Sequence, residues 1–153
     1  MTLYHIRRVD SDDEEVTELL DSMHSICFPV GEAPAIDHKQ WGLWWIAYKD
    51  KEPIGFAALV RSLRFENAGY LYRAGVLPEH RGHGLQKRLI DVRVRAAKRM
   101  KWVILFTDTH DSPASTNSLI ARGFRVYIPK TLYGHKHAIY LRRWLRGKHV
   151  LSK

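Results

Sequence analysis

A strand, a helix and a second strand follow one another between residues 70 and 107, and this order constrains the fold more than any other feature of the sequence. Residues 70–76 and 102–107 are short, largely apolar segments of the kind that form buried strands. Between them, one apolar stripe recurs at helical spacing, formed by Leu85, Leu89, Val92, Ala96 and Met100. Two strands joined by a helix normally lie parallel in one sheet with a right-handed crossover. We therefore expect a sheet that contains a parallel strand pair.

The rest of the chain supplies further strands and helices around this unit. The capping-box spacing Ser11–Glu14 predicts that a helix starts there, and a short helix is expected from Asp37. Ser112 as N-cap, with Pro113 at the first helical position and Gly123 at the exit, predicts another helix. Further strands are predicted at residues 3–8, 44–48, 54–64, 125–128 and 137–141.

Length and composition narrow the class of protein. The chain has 153 residues, a length that suits one core, and we expect residues 1–153 to form a single domain. Hydrophobic residues make up 45% of it, which excludes an intrinsically disordered chain. No membrane-spanning segment and no signal peptide is expected, and the lone Cys27 fits a reducing compartment. We therefore expect a cytoplasmic protein, as a monomer or a homodimer.

The charge is distributed unevenly along the chain. Residues 1–60 carry 5 Lys and Arg against 11 Asp and Glu, whereas residues 61–153 carry 20 against 5, so the net charge changes from −6 to +15. A basic half attracts nucleic acid, an anionic membrane surface or a polyanionic small ligand such as a nucleotide cofactor. Charge alone leaves all three open.

The segment from Val76 to Leu85 joins the first strand of the parallel pair to its helix, and its residues suit an anion site. Gly82 and Gly84 let the backbone approach a ligand closely, and the first amides of a helix have no acceptor within the helix. Arg81 adds a positive fork beside them. A bound pyrophosphate and an ordinary tight turn both explain the two glycines.

This loop resembles the signature Gln/Arg-x-x-Gly-x-Gly/Ala of the GNAT superfamily of N-acetyltransferases. Arg81 and Gly84 match it, and Gln86 stands where the family has its last small residue. A second family element is Asn-x-x-Ser/Ala, followed by Gly-Phe at the end of the helix. Its counterparts here are Ser112 at the Asn position, Ser115, Gly123 and Phe124. The resemblance extends from the first helix to the last strand.

The resemblance implies a fold and a cosubstrate. The fold is α+β, with a central mixed, mostly antiparallel sheet of about six to seven strands flanked by about four helices, and with a splayed parallel strand pair. Acetyl-CoA would bind where residues 70–76 and 102–107 splay apart. The residues implied to bind it are Val76, Leu77, Arg81, Gly82, His83, Gly84, Leu85, Gln86, Ser112 and Ser115. Its phosphates account for the basic surplus, so nucleic acid is not needed as a partner.

The implied activity is direct transfer of acetyl to a primary amine on a small molecule, a peptide N-terminus or a lysine. The amine must lose a proton before it attacks, because such amines are mostly protonated at neutral pH. Family members often carry a Glu on the strand before the loop, and Tyr70 stands at the matching place, with Tyr72 two residues on. Either tyrosine could position a water, or both could be core aromatics. The backbone amide of Val76 is the implied oxyanion donor.

Protonation of the departing thiolate is often the task of a Tyr in the helix before Gly-Phe, and Leu119 occupies that place here. Tyr127 or Tyr133 could substitute by folding over the cleft, or the thiolate, with a pKa near about 8.5, could leave without full protonation. His110 and Asp111, just after the second strand of the pair, are alternative proton relays or simple loop residues.

Other histidines and the tryptophans allow further interpretations. No Cys or carboxylate completes a metal-ligand set around the two closely spaced pairs, so no metal site is predicted at His80 and His83 or at His135 and His137. Trp41, Trp44 and Trp45 could cage a cationic or aromatic substrate, or pack in the core. Trp44 and Trp45 are adjacent on a strand and so cannot face the same side.

A second function remains open on the same fold. Because Leu119 replaces the acid and no carboxylate stands near Tyr70 in the sequence, the chain could be a non-catalytic acyl-CoA-binding or basic nucleic-acid-associated module.

Overall fold

The computed structural model describes residues 3–29 and 31–146, which form seven strands, three α-helices and one short 3-10 helix at Pro78–His80. The strands are β1 Tyr4–Val9, β2 Gly42–Lys49, β3 Glu52–Arg61, β4 Ala68–Val76, β5 Ile104–Thr109, β6 Arg125–Tyr127 and β7 Ile139–Trp144. The α-helices are α1 Glu14–Cys27, α2 Leu85–Arg99 and α3 Pro113–Ala121.

All seven strands belong to one sheet, in the order β1-β2-β3-β4-β5-β7-β6. Neighbours are antiparallel except β4 and β5, which are parallel and joined through α2. The predicted fold class is confirmed, including its parallel pair. The short helix expected from Asp37 is wrong, because residues 38–40 form a turn.

The start of α1 differs from the capping-box prediction. Asp13, not Ser11, is the N-cap, and its Oδ1 accepts a hydrogen bond of 2.9 Å from the amide of Glu15. Ser11 uses its carbonyl instead, which accepts from the hydroxyl of Thr17. A carboxylate at this position also interacts favourably with the positive end of the helix dipole.

The two long helices cover opposite faces of the sheet. The cluster around α1 contains Leu20 together with Trp44 and Phe56, whereas Trp45 and Leu59 belong to a cluster that contains residues of α2 and β5. Neighbouring residues of one strand therefore enter different cores, as strand alternation requires. The Trp44 and Trp45 side chains are only 2% and 5% exposed, so both serve core packing.

A β-bulge interrupts the pairing of β3 with β4. Ala57 pairs with Ala74 but Leu59 pairs with Leu71, so two residues of β4, numbers 72 and 73, stand opposite Ala58. Bulges bend a strand and re-aim its side chains. Here the bulge turns the side chains of both residues 72 and 73 to the face that carries α1.

Arg93 of α2 is buried beneath this bulge. Its Nη1 donates to the carbonyl of Ala58 and its Nε to the carbonyl of Leu89. The buried guanidinium therefore has backbone carbonyls as partners, which offset part of the cost of removing it from water.

Within residues 3–29 and 31–146, no helix is both long enough and apolar enough to cross a bilayer.

Candidate functional site

β4 and β5 lie side by side at their start and separate towards their carboxyl ends. Register pairs join residues 68–70 of β4 to residues 104–106 of β5 and extend no further along the described part of these strands, although β4 continues to Val76. The hydroxyl of Thr107 donates to the carbonyl of Leu71 just beyond the last pair. Because the strands are parallel, both carboxyl ends lie at the same edge of the sheet. A gap between them opens towards that edge.

The backbone of Val76 borders this gap. The amide of the next residue, Leu77, donates to the carbonyl of Ile54 on β3 at 2.8 Å. Backbone groups alternate in direction along a strand, so the amide of Val76 points away from β3 and towards the gap. The Val76 carbonyl accepts a hydrogen bond of 3.0 Å from Nε of Arg81. The amide predicted to stabilise an oxyanion thus faces the opening, whereas the predicted contact residue Leu77 has its own amide engaged with the sheet.

The loop after β4 leads into the N-terminus of α2 through two left-handed glycines. Gly82 has φ +86° and Gly84 has φ +75°, and a Cβ built on either would meet no atom within 4 Å. Gly84 is the N-cap of α2 and offers no side chain to cap it. The first amides of the helix, at Leu85 and Gln86, are therefore available to a ligand. Leu85 itself is buried, so only its backbone can take part, while Gln86 is half-buried.

The side chains of the loop differ in what they contact. Arg81, expected as a positive fork beside the amides, directs its Nε–H back to β4 and so ties the loop to the strand end. Its guanidinium also lies against the thiol of Cys27, whose pKa burial raises. The exposed His83 ring lies 5.2 Å from the ring of Tyr4, and the Tyr4 hydroxyl is hydrogen-bonded to His80. Arg81 therefore has a positioning role as well as a charge.

Ser112 and Ser115 lie at the start of α3, across the gap from β4. The hydroxyl of Ser112 donates to that of Ser115 at 2.8 Å, and Ser112 makes no side-chain cap to the helix backbone. Below them, the hydroxyls of Thr109 and Thr116 are 2.7 Å apart in the core. The carboxyl end of β5 thus presents a pair of linked hydroxyls.

A carboxylate lies beside Tyr70, where sequence analysis found none. The Tyr70 hydroxyl donates a hydrogen bond to Oδ1 of Asp108, which is half-buried on β5. Burial and the neighbouring carboxylate raise the pKa of Tyr70 well above its usual value. The phenol therefore stays protonated and acts as a donor. The predicted strand ended at Thr107, which left Asp108 in a loop, but β5 extends to Thr109.

Tyr133 reaches the same cluster from the segment between β6 and β7. Its hydroxyl lies 2.8 Å from the hydroxyl of Tyr127 and 3.3 Å from the carbonyl of Thr107. Its ring meets that of Tyr70 edge to face, with ring centres 6.3 Å apart. Burial and the bond to Tyr127 raise the pKa of Tyr133, so it too remains protonated.

Tyr72 lies near Tyr70 but makes different contacts. Its hydroxyl accepts from the amide of Asp37 at 3.2 Å, and its ring packs edge to face against Trp44. Tyr72 thereby holds the segment between α1 and β2 against β4.

The predicted tyrosines line a cavity of about 250 Å³. Its aromatic walls are formed by Phe65, Tyr70, Tyr72, Phe106, Tyr127 and Tyr133. Arg61 and Arg64, from the end of β3 and the turn after it, also line this cavity. The structure thus brings together the three predicted catalytic side chains, with Val76 contributing its backbone at the gap.

The remaining histidines and Trp41 lie elsewhere. His110 and His135 are exposed and stack with ring centres 4.2 Å apart, and Nε2 of His110 is 3.5 Å from Asp111. Among residues 3–29 and 31–146, no three His, Cys, Asp or Glu side chains are grouped so as to hold a metal ion. Trp41 stacks under the guanidinium of Arg61 at 4.2 Å.

Comparisons with known proteins give one family. The model of the acetyltransferase (GNAT) family matches residues 13–124. Among solved structures, an IAA acetyltransferase of Bacillus cereus superposes with a TM-score of 0.73 at 20% identity, covering 94% of this chain and 100% of that one. The yncA protein of Salmonella typhimurium, solved with its cofactor acetyl-CoA, has a TM-score of 0.72 at 18% identity, covering 98% of each chain. The ribosomal-protein-S18-alanine N-acetyltransferase of Escherichia coli has a TM-score of 0.71 at 14% identity, covering 97% and 99%. No curated protein matches the chain significantly.

Proposed function

The chain belongs to the acetyltransferase (GNAT) family, and we propose that it transfers the acetyl group of acetyl-CoA directly to a primary amine. One observation carries the proposal. The gap between β4 and β5 opens towards the uncapped, glycine-flanked N-terminus of α2, so a site for an anion adjoins a cleft lined by free peptide groups. The tyrosine cluster with Asp108 lies beside the same pair of strands.

The residues around the gap fit acetyl-CoA. Space above Gly82 and Gly84 admits a pyrophosphate, and the amides of Leu85 and Gln86 would hold it at the positive end of the helix dipole. The peptide groups of β4 near Val76 would pair with the pantetheine amides. The linked hydroxyls of α3 would line the opposite side. The ligand supplies an activated acetyl thioester.

Asp108 is the group best placed to take a proton from the amine. Tyr70 is a poor base, because its raised pKa keeps the phenol protonated at neutral pH. Its hydroxyl instead orients the carboxylate of Asp108 and leaves further acceptor positions on it. A carboxylate that accepts the amine proton, directly or through one water, leaves the nitrogen lone pair free to attack. Tyr72 borders the same cavity and fixes its wall.

Two donors serve the rest of the reaction. The amide of Val76 would stabilise the negative charge that develops on the thioester oxygen. Tyr133 stays protonated and is hydrogen-bonded to Tyr127, so its hydroxyl would donate a hydrogen bond to the departing sulfur and stabilise the thiolate without giving up its proton. The Leu119 side chain, at the place where family members carry the acid, is buried and cannot substitute.

Calorimetry with acetyl-CoA and CoA, followed by thiol release with a panel of amines, tests the proposal. Gly84→Val should abolish CoA binding, because a β-branched residue at φ +75° shifts the loop backbone away from the phosphate-binding geometry. Gly31→Val is the matched control, since Gly31 has φ +92° and open space around it but lies before β2. Equal loss of binding in both variants would contradict the phosphate assignment.

The outcome for the wild type separates the three functions left open by the sequence. Tight CoA binding with amine-stimulated thiol release supports the transferase. Tight binding without release under any amine favours a non-catalytic acyl-CoA-binding module. Absence of CoA binding, together with retention on nucleic acid that falls steeply with salt, favours the nucleic-acid-associated alternative.

A further inference from the structure

We propose that the acceptor is a compact amine that also carries a carboxylate or a similar anion, and that Arg64 binds this anion in the cavity of about 250 Å³. The inference rests on the proposed function and names the substrate class of that same site. It follows from the shape, wall chemistry and charges of the cavity.

The walls favour an apolar body of limited size. Phe65 and Phe106 stack with ring centres 5.5 Å apart on one side, and Tyr70 and Tyr133 meet edge to face on the other. Ligand pockets commonly measure about 300–1,000 Å³. A cavity slightly below that range accommodates one ring or a short aliphatic chain rather than a long polyamine.

The charges of the lining residues are all positive. Arg61 and Arg64 line the cavity, and neither forms an ion pair with a carboxylate in the stretches 3–29 and 31–146. Arg73 is adjacent, with its guanidinium 4.9 Å from the ring of Tyr72. No carboxylate is among the lining residues that the structure describes, and Asp108 lies behind Tyr70 and accepts its hydroxyl hydrogen. The guanidinium of Arg61 lies over the rings of Trp41 and Trp102, which do not line the cavity, so an anionic group would find the unneutralised Arg64, whereas a polycation would be repelled.

Arg64 is already held in a position to bind. One Nη donates to the carbonyl of Thr131 at 3.1 Å, and its Cζ lies 5.7 Å from the ring of Phe65 and 5.9 Å from that of Tyr133. The bond to Thr131 uses one N–H group of the guanidinium, and the other N–H groups make no hydrogen bond within residues 3–29 and 31–146. A planar fork with free N–H groups matches the two oxygens of a carboxylate. Because the bond to Thr131 already restricts its orientation, less side-chain entropy is lost on binding than for an unrestrained arginine.

The two ends of the cavity then have different tasks. The amine lies at the Tyr70 side of the cavity, towards Asp108 and the gap, and the anion at Arg64 in the segment that follows β3. The aromatic residues between them contact the body of the acceptor. Recognition of an amine and an anion in one molecule explains why opposite charges are separated by neutral rings.

Matched pairs of acceptors test the proposal directly. 4-(Aminomethyl)benzoate and benzylamine differ only in the carboxylate, as do phenylalanine and phenethylamine, and spermidine serves as the cationic probe. For at least one pair, the carboxylated amine should have a KM about tenfold to a hundredfold lower, the factor expected from one charge-assisted hydrogen-bonded pair. Arg64→Gln should remove this difference and Arg64→Lys should restore part of it. Arg95→Gln, on the exposed side of α2, removes one positive charge elsewhere and should preserve it.

Calorimetric titration of each amine, with and without CoA, makes the two proposals separable. Thiol release with equal KM for both members of each pair, or a preference for spermidine, would overturn the anion site and leave the transferase standing. Arg64-dependent binding of a carboxylated amine without thiol release would support the anion site and count against the transferase. Binding of neither member, or binding unchanged by Arg64→Gln, would refute the anion site. Arg64 is exposed, so these variants should fold, which circular dichroism checks.

Discussion

Replacement of Tyr70 by Phe removes one hydroxyl from the candidate site and keeps the ring. The hydroxyl donates to the carboxylate of Asp108, and a hydrogen bond to a charged group contributes about 1.5–3 kcal/mol to stability. We expect Tyr70→Phe to lower the free energy of unfolding by that amount, which corresponds to a Tm decrease of roughly 3–12 °C for a chain of this length. Urea unfolding followed by tryptophan fluorescence measures it.

A double-mutant cycle assigns this loss to the pair. Asp108→Asn alone and Tyr70→Phe alone each break the bond, so the double variant should lose less than the sum of the two. We expect a coupling energy of about 1 kcal/mol or more, whereas independent sites add to within about 0.5 kcal/mol. Strict additivity would refute the reasoning, since it would mean that the hydroxyl and the carboxylate do not interact in solution.

The same pair predicts alkaline instability. Burial, followed by the Asp108 carboxylate, raises the pKa of Tyr70 above its value of about 10 in an unfolded chain. Above that pH the unfolded chain loses the phenolic proton while the folded chain keeps it, so stability is lost as pH rises. Tyr70 alone contributes a slope of about 1.4 kcal/mol per pH unit. Tyr70→Phe should reduce the measured slope above about pH 10 by that amount, and an unchanged slope would count against the raised pKa.

Two other substitutions probe the packing around the site. Gly69→Ala should destabilise the fold by about 1–3 kcal/mol in urea unfolding, because a Cβ at this position would lie 2.4 Å from the ring of Trp102. A loss of less than about 0.5 kcal/mol would contradict this expectation and show that the Trp102 ring moves aside freely. The pKa of His24 is lowered, first by burial and then by the cation of Arg73. Below about pH 6.5, His24 gains a proton more readily in the unfolded chain than in the folded one, so stability should fall as the pH drops. His24→Leu should weaken this acid dependence in the same urea assay.

Local signals made much of the fold predictable. Gly84 marks the start of α2, and Pro113 and Gly123 bracket α3, because each fixes a backbone conformation that depends on few neighbours. The parallel pair followed from the order of elements alone. The prediction that Ser11 caps α1 was wrong. Ser11 and Asp13 both suit an N-cap, and only the path of the preceding strand selects between them.

The candidate site was harder to predict, since it depends on strand register. Asp108 lies one residue beyond the predicted end of an apolar strand, and its proximity to Tyr70 follows from the pairing of Tyr70 with Phe106, which no sequence pattern indicates. The isolated carboxylate in an otherwise uncharged strand was the one available signal. The direction of the Arg81 side chain was also not predictable. Its Nε donates to the carbonyl of Val76, which has no partner on a neighbouring strand because β5 diverges from β4 there.

The divergence of β4 from β5 gives the sheet an additional edge in its interior. The amides of Ala74 and Val76 belong to a central strand, yet their side of that strand has no neighbouring strand to pair with. In the free protein they should exchange hydrogen with solvent faster than amides of the outer strand β1, the reverse of the usual gradient from rim to centre. A ligand that pairs with this strand would complete the sheet from within, so the slowing of exchange at these two amides would report its arrival before any chemistry takes place.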